Sequence, residues 1–181
     1  MSKNITLAGG CFWCLEAVFQ QVDGVEKVVS GYCGGDVDHP TYQMVCSGNT
    51  GHAEAVQITF EEEVISEKII LDLFFAFHDP TSLNRQGADV GTQYRSAVFY
   101  ETDQQRDLAL DTIDRVSREQ WWTGDIVTEV TQLSQFFIAE NYHQNYFLTN
   151  LYQPYCQIVI TPKMQKLLKE YSHLLKNSPS E

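Results

Sequence analysis

The sequence lacks several features that whole classes of protein require. No apolar run approaches the roughly 20 residues of a membrane-spanning helix, so we expect no membrane association. Basic residues are also scarce, 12 against 24 acidic ones, which gives a net charge of −12. Because nucleic-acid-binding proteins need a basic surface, we expect no nucleic-acid partner. The first residues contain no long apolar segment either, so we predict no secretory signal and a cytoplasmic location.

Cysteine is scarce as well, with five residues in a chain of 181. That number is odd and too small for a disulfide scaffold. In a reducing cytosol, such cysteines are catalytic, metal-bound or inert core residues. No repeat or low-complexity segment stands out, and the apolar share of 43% is typical of a globular chain. We therefore predict one domain over residues 1–181 with a polar C-terminal tail at 151–181.

Hydrophobic spacing predicts the order of the elements. Strands are predicted at 5–8, 25–32, 56–60, 97–100 and 126–130, and helices at 11–22, 69–77, 102–119 and 134–147. Thr102 and Gln105 form a capping box for the third helix. This order predicts an α/β (α+β) fold: a two-layer plait with a ferredoxin-like split-βαβ core, a mixed sheet and extra helices. Residues 81–95 show no period, and a loop that long favours a site wall.

The short stretch GGCFWC at 9–14 carries the first sign of chemistry. Cys11 follows a predicted strand and begins a predicted helix, where free N–H groups stabilise a thiolate. A buried cysteine at a tight glycine turn fits the same position. Phe12 and Trp13 point about 100° apart on a helix, so at least one ring should line a pocket. Beside a thiolate, an aromatic pocket suits a sulfur-bound methyl group.

Cys11 and Cys14 also form a CxxC pair, which has three interpretations: a thioredoxin-like redox pair, half of a zinc site, or coincidence. Zinc needs two more ligands, and Cys33 and Cys46 give no clean second pair with the nearby histidines. We therefore expect no metal. The redox pair stays open, because a thioredoxin-like fold also places CxxC after a strand.

Glu54 stands out on the strand AEAVQITF. Its parity matches that of Val56, Ile58 and Phe60, so it should point into the apolar layer. A carboxyl group in such a place has a raised pKa and suits a general acid. If the strand begins only at Ala55, Glu54 is a solvated surface residue instead.

Several longer motifs together resemble the A-type peptide methionine sulfoxide reductases. They are GCFWC at 10–14, GYCGG at 31–35, PTYQMVCSGNTGHAEAV at 40–56, HDPTSLNRQGADVGTQYRS at 78–96 and YHQNY at 142–146. The resemblance implies the family's α/β plait and a thioredoxin-dependent enzyme without a cofactor. Its substrates would be free methionine-S-sulfoxide and oxidised proteins, which the enzyme repairs after oxidative stress.

The resemblance also implies a role for each matching residue. Cys11 stands at the position of the nucleophile, and Glu54 at that of the acid that protonates the sulfoxide oxygen. Tyr42 and Tyr94 match two hydroxyls that bind this oxygen, and Asp89 matches a carboxyl group near the site. These donors address the poor leaving ability of the sulfoxide oxygen. Phe12 and Trp13, already singled out, match the walls of the methyl pocket.

The implied cycle oxidises Cys11 to a sulfenic acid, which a second cysteine converts into a disulfide that thioredoxin reduces. We predict that Cys156 is this resolving cysteine, because PYC at 154–156 resembles the family's first recycling position and a C-terminal tail should be mobile enough to reach Cys11. Cys14 is the alternative, although positions three apart on a helix bridge only if the first turn distorts.

The remaining candidates receive no catalytic role. We expect Cys46 to pack in the core, assign no role to Cys33, and interpret His143 as a structural histidine. A monomer is expected, since no long apolar stripe calls for a partner. A dithiol oxidoreductase, a zinc-stabilised binding domain and a slow sulfoxide sensor remain rival hypotheses. The dithiol hypothesis leaves Tyr42, Glu54 and the loop around Asp89 unexplained.

Overall fold

The computed structural model describes residues 1–177. Its strands are β1 (Ser2–Ala8), β2 (Val25–Cys33), β3 (Ala53–Glu61), β4 (Arg85–Gln86), β5 (Asp89–Val90), β6 (Ala97–Tyr100), β7 (Glu129–Gln132) and β8 (Phe136–Ile138). Its α-helices are α1 (Phe12–Gln20), α2 (Tyr42–Cys46), α3 (Glu67–Ala76), α4 (Asp103–Arg118), α5 (Tyr146–Thr149) and α6 (Thr161–Glu170). None of these helices is long and apolar enough to cross a membrane.

The described residues form a six-stranded mixed sheet in the order β7-β6-β1-β3-β2-β8. Strands β6 and β7 run parallel, and the other neighbouring pairs are antiparallel. Helix α1 connects β1 to β2, and α3 lies between β3 and β6 in the chain. The central order β6-β1-β3-β2 with these two helices is the split-βαβ plait. The predicted fold class is therefore confirmed.

Alternation along the strands divides the core into two faces. Ile5 and Leu7 on β1 and Val56 and Ile58 on β3 are fully buried in one cluster with the apolar residues of α1, α3 and α4. The opposite face carries mostly small side chains and one larger ring. They are Ala8, Cys33, Ala53, Ala55, Ala97 and Phe99. The helices thus cover one side of the sheet, and Glu54 belongs to that side by its parity with Val56.

The predicted capping box of α4 is present in a modified form. The backbone N–H of Gln105 donates to the Thr102 hydroxyl over 3.1 Å. In return, the Gln105 side chain accepts from the N–H of Glu101 over 3.0 Å, one residue before the cap. Both bonds satisfy donors near the helix start, which explains why α4 begins where the sequence predicts.

The predicted helix at 134–147 is wrong. This segment contains β8, a 3₁₀ turn at Asn141–His143 and the short α5. Strand β8 pairs with the edge of β2, with Gly31 opposite Ile138 and Cys33 opposite Phe136. Asn145 adopts a left-handed conformation at φ +57°, which ends any helix before α5. Long-range pairing therefore overrides the local helical spacing. The strand predicted at 126–130 is shifted towards the C-terminus, since β7 covers Glu129–Gln132.

The C-terminal segment differs from the expected mobile tail. A π-helical turn at Cys156–Ile160 leads into α6. Cys156 and Ile160 are buried in a cluster with Cys14 and Ala17 of α1. The segment is therefore packed onto the helix that follows the nucleophile position, with Cys156 in one cluster with Cys14.

Candidate active site

The glycine pair before Cys11 is required by close packing. Gly10 has φ +88°, and a Cβ atom there would lie 2.5 Å from Cγ of Gln86. A Cβ atom on Gly9 would lie 2.8 Å from Cγ of His78. The chain can therefore turn sharply from β1 into α1 only with glycine at these positions. The turn brings the residue 78–95 loop directly against the start of the helix.

Cys11 is the N-cap of α1 and has an extended backbone, φ −60° and ψ 126°. Its side chain is only 7% exposed. Burial raises the pKa of the Cys11 thiol well above its usual value, and the negative charge of Glu54 acts in the same direction. Hydrogen bonds from the Trp13 backbone N–H and the Tyr155 hydroxyl oppose this effect. The expected stabilisation of the thiolate at the helix start exists, but burial outweighs it in the free protein.

Glu54 points into the apolar face of the sheet, as its parity predicts. Its side chain is 1% exposed. Its Oε1 accepts a hydrogen bond from the backbone N–H of Phe12 over 3.2 Å. Burial raises the pKa of Glu54 to about 8, the charge of Asp89 adds to the increase, and the bonds from Phe12 and Cys11 reduce it. Glu54 is thus a protonated acid near neutral pH in contact with Cys11.

Aromatic rings surround the two residues after Cys11. Phe12 is fully buried, whereas Trp13 is partly exposed, so Trp13 is the ring that reaches the surface. Trp13 stacks on Tyr146 with ring centres 3.6 Å apart. Its indole Nε1–H donates to Nδ1 of His143 over 3.0 Å, and His143 also packs against Phe12. His143 therefore holds the predicted pocket wall, which gives the predicted structural histidine a specific function.

The two tyrosines of the predicted oxygen-binding site lie around Glu54. Burial raises the pKa of Tyr94, and the charges of Glu54, Asp89 and Cys11 add to it. Burial likewise raises the pKa of Tyr42, with contributions from Cys46, Glu54 and Tyr94. Both phenols therefore remain protonated and able to donate hydrogen bonds. Tyr94 is thus close enough to Cys11, Glu54 and Asp89 for their charges to affect its pKa, and Tyr42 is close enough to Glu54 and Tyr94.

Glu140 fixes the backbone of Tyr42 at the start of α2. Its carboxylate accepts hydrogen bonds from the Tyr42 backbone N–H at 3.1 Å, the Tyr32 hydroxyl at 3.0 Å and the Tyr142 hydroxyl at 3.2 Å. Burial alone would raise the pKa of Glu140, but these bonds and its own backbone N–H lower it. Glu140 was not predicted as a site residue, and its place just before YHQNY is the one signal of it in the sequence.

Asp89 is joined to the cysteines through Tyr155. The Tyr155 hydroxyl donates to Oδ2 of Asp89 over 2.8 Å and lies 3.8 Å from Sγ of Cys14. A pocket of about 300 Å³ opens here, lined by both cysteines of the CxxC pair, Asp89, Tyr155 and Lys163 among others. Tyr155 and Lys163 were not predicted as site residues, although Tyr155 lies next to Cys156 in the sequence.

The other cysteines differ in their surroundings. Cys156 is fully buried beside Cys14. Cys33 is buried on the opposite face of the sheet. Cys46 is exposed, so the prediction that it packs in the core is wrong. The reason is local, because Val45 is the buried residue of the short helix α2 and Cys46 follows it onto the outer face.

The placement of potential metal ligands and a second cavity help to define this site. Within residues 1–177, no group of three or more histidine, cysteine or acidic side chains is placed to hold a metal ion. A larger cavity of about 600 Å³ lies elsewhere, between α1, β2 and α5, and is lined by residues such as Gln20, Val28 and Leu148. It contains no cysteine, whereas Cys11 lines the smaller pocket, so the nucleophile position assigns the chemistry to that pocket.

Comparison with known proteins agrees with this geometry. The family described as peptide methionine sulfoxide reductase matches residues 3–175. The peptide methionine sulfoxide reductase MsrA of Pseudarthrobacter chlorophenolicus is 55% identical over 170 residues, which are 94% of this chain and 97% of that protein.

Solved structures give the same result. Methionine sulfoxide reductase A of Corynebacterium diphtheriae has a TM-score of 0.80 at 31% identity, covering 84% of this chain and 78% of that one. Mxr1 of Saccharomyces cerevisiae in reduced form has a TM-score of 0.78 at 34% identity, covering 86% of this chain and 89% of that one. Mxr1 has also been solved in complex with Trx2. The fold, the buried cysteine beside a protonated carboxyl group and the extent of these matches lead to one conclusion: the chain belongs to the peptide methionine sulfoxide reductases, oxidoreductases that reduce methionine sulfoxide.

Proposed function

We propose that this protein reduces methionine-S-sulfoxide, free or in oxidised proteins, through a sulfenic acid on Cys11. The contact between Cys11 and Glu54 is the observation that carries the proposal. A carboxyl group whose pKa is about 8 still holds its proton at neutral pH, so it can donate that proton to a sulfoxide oxygen. A nucleophile and an acid in one buried site meet the two chemical needs of this reaction.

The pocket walls determine how the substrate lies. The methyl group attached to the sulfoxide sulfur packs against Phe12 and Trp13, where sulfur-bound methyl groups make favourable contacts with aromatic rings. The sulfoxide oxygen then faces Glu54 and the hydroxyls of Tyr42 and Tyr94. This arrangement selects one configuration, because exchanging the oxygen with a carbon substituent would place that carbon among the hydrogen-bond donors, and the family resemblance assigns it as S.

The first step transfers one oxygen and two electrons. The Cys11 sulfur attacks the sulfoxide sulfur as its thiol proton leaves to solvent, and Glu54 protonates the oxygen. The oxygen passes to Cys11 as a hydroxyl group, and the sulfur–oxygen bond of the substrate breaks. The sulfur–sulfur bond formed by the attack breaks, methionine departs with the electron pair of that bond, and Cys11 is left as a sulfenic acid. The tyrosine hydroxyls stabilise the negative charge that develops on the oxygen before the proton arrives.

A second cysteine then forms a disulfide with Cys11 and releases water. Cys156 is the predicted resolving residue, and Cys14 is the alternative. The surroundings support Cys14 for the first contact, since it shares the pocket with Cys11, whereas Cys156 packs behind it. Cys11 is also the N-cap and lies outside the regular helix, which reduces the distortion that a bridge to Cys14 requires.

Thioredoxin is the proposed reductant of the disulfide, in line with the complex of Mxr1 with Trx2. Thiol–disulfide exchange returns both cysteines to the reduced state and needs no metal or organic cofactor. We place this cycle in the cytoplasm, where thioredoxin keeps thiols reduced, and expect the protein to act as a monomer that repairs oxidised proteins.

A single-turnover assay tests the proposal. Reduced protein is mixed with pure S or pure R methionine sulfoxide without added reductant, and both methionine and free thiols are counted. We expect about one methionine per chain from the S epimer, the loss of two thiols and no methionine from the R epimer. Absence of methionine from both epimers would disprove the proposal and favour a dithiol oxidoreductase.

A further inference from the structure

Lys163 brings a positive charge to the pocket that holds the CxxC pair. It lies in the first turn of α6, is partly buried, and lines the same cavity of about 300 Å³ as Cys11 and Cys14. Asp89 is the other charged residue among the residues lining this cavity. The placement is unusual in a chain with a net charge of −12, because it gives one cation to a site otherwise surrounded by acidic groups.

Lys163 is not engaged in another structural contact within residues 1–177. No ion pair within 4.0 Å and no hydrogen bond involves its ammonium group there. Lys166, one turn later, differs in this respect. Its ammonium donates to the Ala76 carbonyl over 2.9 Å and lies over the Phe77 ring. The charge of Lys163 is therefore directed at the pocket and does not serve to anchor the helix.

The groups around Cys14 affect the pKa of its thiol in opposite directions. Burial raises the pKa of the Cys14 thiol, and Asp89 and Glu54 add to the increase. Lys163 gives the largest opposing contribution, followed by the Tyr155 hydroxyl 3.8 Å away. The other titratable groups near Cys14 are the neutral thiols of Cys11 and Cys156. Lys163 is thus the one positive charge among the groups that face Cys14 in the described chain.

We propose that Lys163 is a positioning residue for the resolving step, in which its charge stabilises the sulfur of Cys14 as it attacks the sulfenic acid of Cys11. This inference rests on the proposed function. The Cys14 sulfur forms a bond to the Cys11 sulfur, and the sulfur–oxygen bond of the sulfenic acid breaks. Hydroxide leaves and is protonated to water. Cys14 is oxidised as the sulfenic acid is reduced, so no further oxidant is needed.

The full-length protein and its variants test the proposal by the rate of disulfide formation after sulfenic acid has formed. Excess methionine-S-sulfoxide starts the reaction, dimedone traps the remaining sulfenic acid at set times, and peptide mass spectrometry identifies the disulfide pair. We expect Lys163→Met to slow formation of the Cys11–Cys14 disulfide about tenfold at pH 7 and to move its pH midpoint up by about one unit. Above the new midpoint, the two rates should converge.

Two matched variants separate charge from structure. Lys163→Arg retains the cation and should restore the pH profile of the unmodified protein. Lys169→Met removes one positive charge from the exposed last turn of the same helix and should change nothing. Superimposable pH profiles for Lys163→Met and the unmodified protein would overturn the proposal, as would a first disulfide between Cys11 and Cys156. A protein that forms no methionine in this assay would disprove the proposed function itself, which is a distinguishable outcome.

Discussion

The backbone N–H of Phe12 donates a hydrogen bond to Oε1 of Glu54 over 3.2 Å. This bond joins the first residue of α1 to the second residue of β3. The start of α1 therefore positions both groups: it holds the carboxyl group of Glu54 through Phe12, and Cys11 is its N-cap. The nucleophile and the acid therefore do not depend on separate flexible segments, and their relative position is preorganised by the sheet and the first turn of α1.

Replacing Glu54 with glutamine should separate its chemical role from its structural one. Glutamine keeps an oxygen that accepts from Phe12 N–H, so the fold should remain, but it has no acidic proton for the sulfoxide oxygen. We expect the methionine burst to slow by about 10²–10⁴-fold. Rapid-quench kinetics gives the rate, and circular dichroism checks the fold. A loss of less than tenfold in a folded variant would show that another group protonates the oxygen.

The rate of the methionine-forming step should stop rising with pH at about pH 8. Burial raises the pKa of Glu54 to about 8, so Glu54 is protonated below that pH and loses its proton above it. The pKa of the Cys11 thiol is raised well above its usual value, so the share of reactive thiolate keeps growing in this range. Because the charged form of Glu54 cannot act as an acid, its growth offsets that of the thiolate and the single-turnover rate should level off. In Glu54→Gln the rate should keep rising through pH 8. A rate that still rises between pH 8 and 10 in the unmodified protein would contradict this assignment.

The same pKa shift predicts a pH-dependent stability. The folded state keeps the Glu54 proton up to about pH 8, while the unfolded chain releases it near pH 4.5, so raising the pH favours unfolding over this range. Glu54 alone should lower the free energy of unfolding by ~4–5 kcal/mol between these limits. Urea unfolding at pH 5 and pH 8 measures the change. The difference in the free energy of unfolding between Glu54→Gln and the unmodified protein should change with pH by the same amount.

Gly10→Ala should displace Cys11. The new Cβ atom would lie 2.5 Å from Cγ of Gln86. The alanine would also have to adopt φ +88°, which L side chains rarely do. We expect a loss of ~2–4 kcal/mol in the free energy of unfolding and a slower methionine burst. Gly48→Ala is the matched control, because Gly48 has φ +79° and no atom lies within 4 Å of its Cβ position. Equal effects of the two substitutions would mean that backbone conformation alone requires Gly10.

Local patterns predicted those parts of the site that depend on local geometry. Period-2 alternation on β3 placed Glu54 in the apolar layer because parity is a property of the strand itself. The glycine pair before Cys11 similarly indicated a sharp turn. The capping residues Thr102 and Gln105 marked the start of α4 because their hydrogen bonds span only a few positions.

Contacts between distant segments could not be predicted in this way. The segment 134–147 has helical spacing, but β8 forms because the edge of β2 offers unpaired backbone groups opposite Gly31. The bond from Tyr42 N–H to Glu140 spans 98 positions, and that from Tyr155 to Asp89 spans 66. No periodicity encodes such pairs. Their absence from the sequence-based site is therefore expected, because they exist only once the sheet has brought the segments together.

Glu140→Ala should impair the reaction through Tyr42 without touching the substrate. The carboxylate accepts three hydrogen bonds, from the Tyr42 backbone, Tyr32 and Tyr142. Alanine has no accepting side chain, so all three bonds are lost and the Tyr42 N–H loses its carboxylate partner. We expect α2 to shift and the methionine burst to slow about tenfold. A displaced hydroxyl of Tyr42 stabilises the developing charge less well, so the maximal rate should fall more than the apparent affinity.

Tyr142→Phe is the control, because it removes one of the three bonds from a side chain that is 59% exposed and should change the rate less than twofold. Equal losses in both variants would place the effect in the Asn141–His143 turn and not in the position of Tyr42.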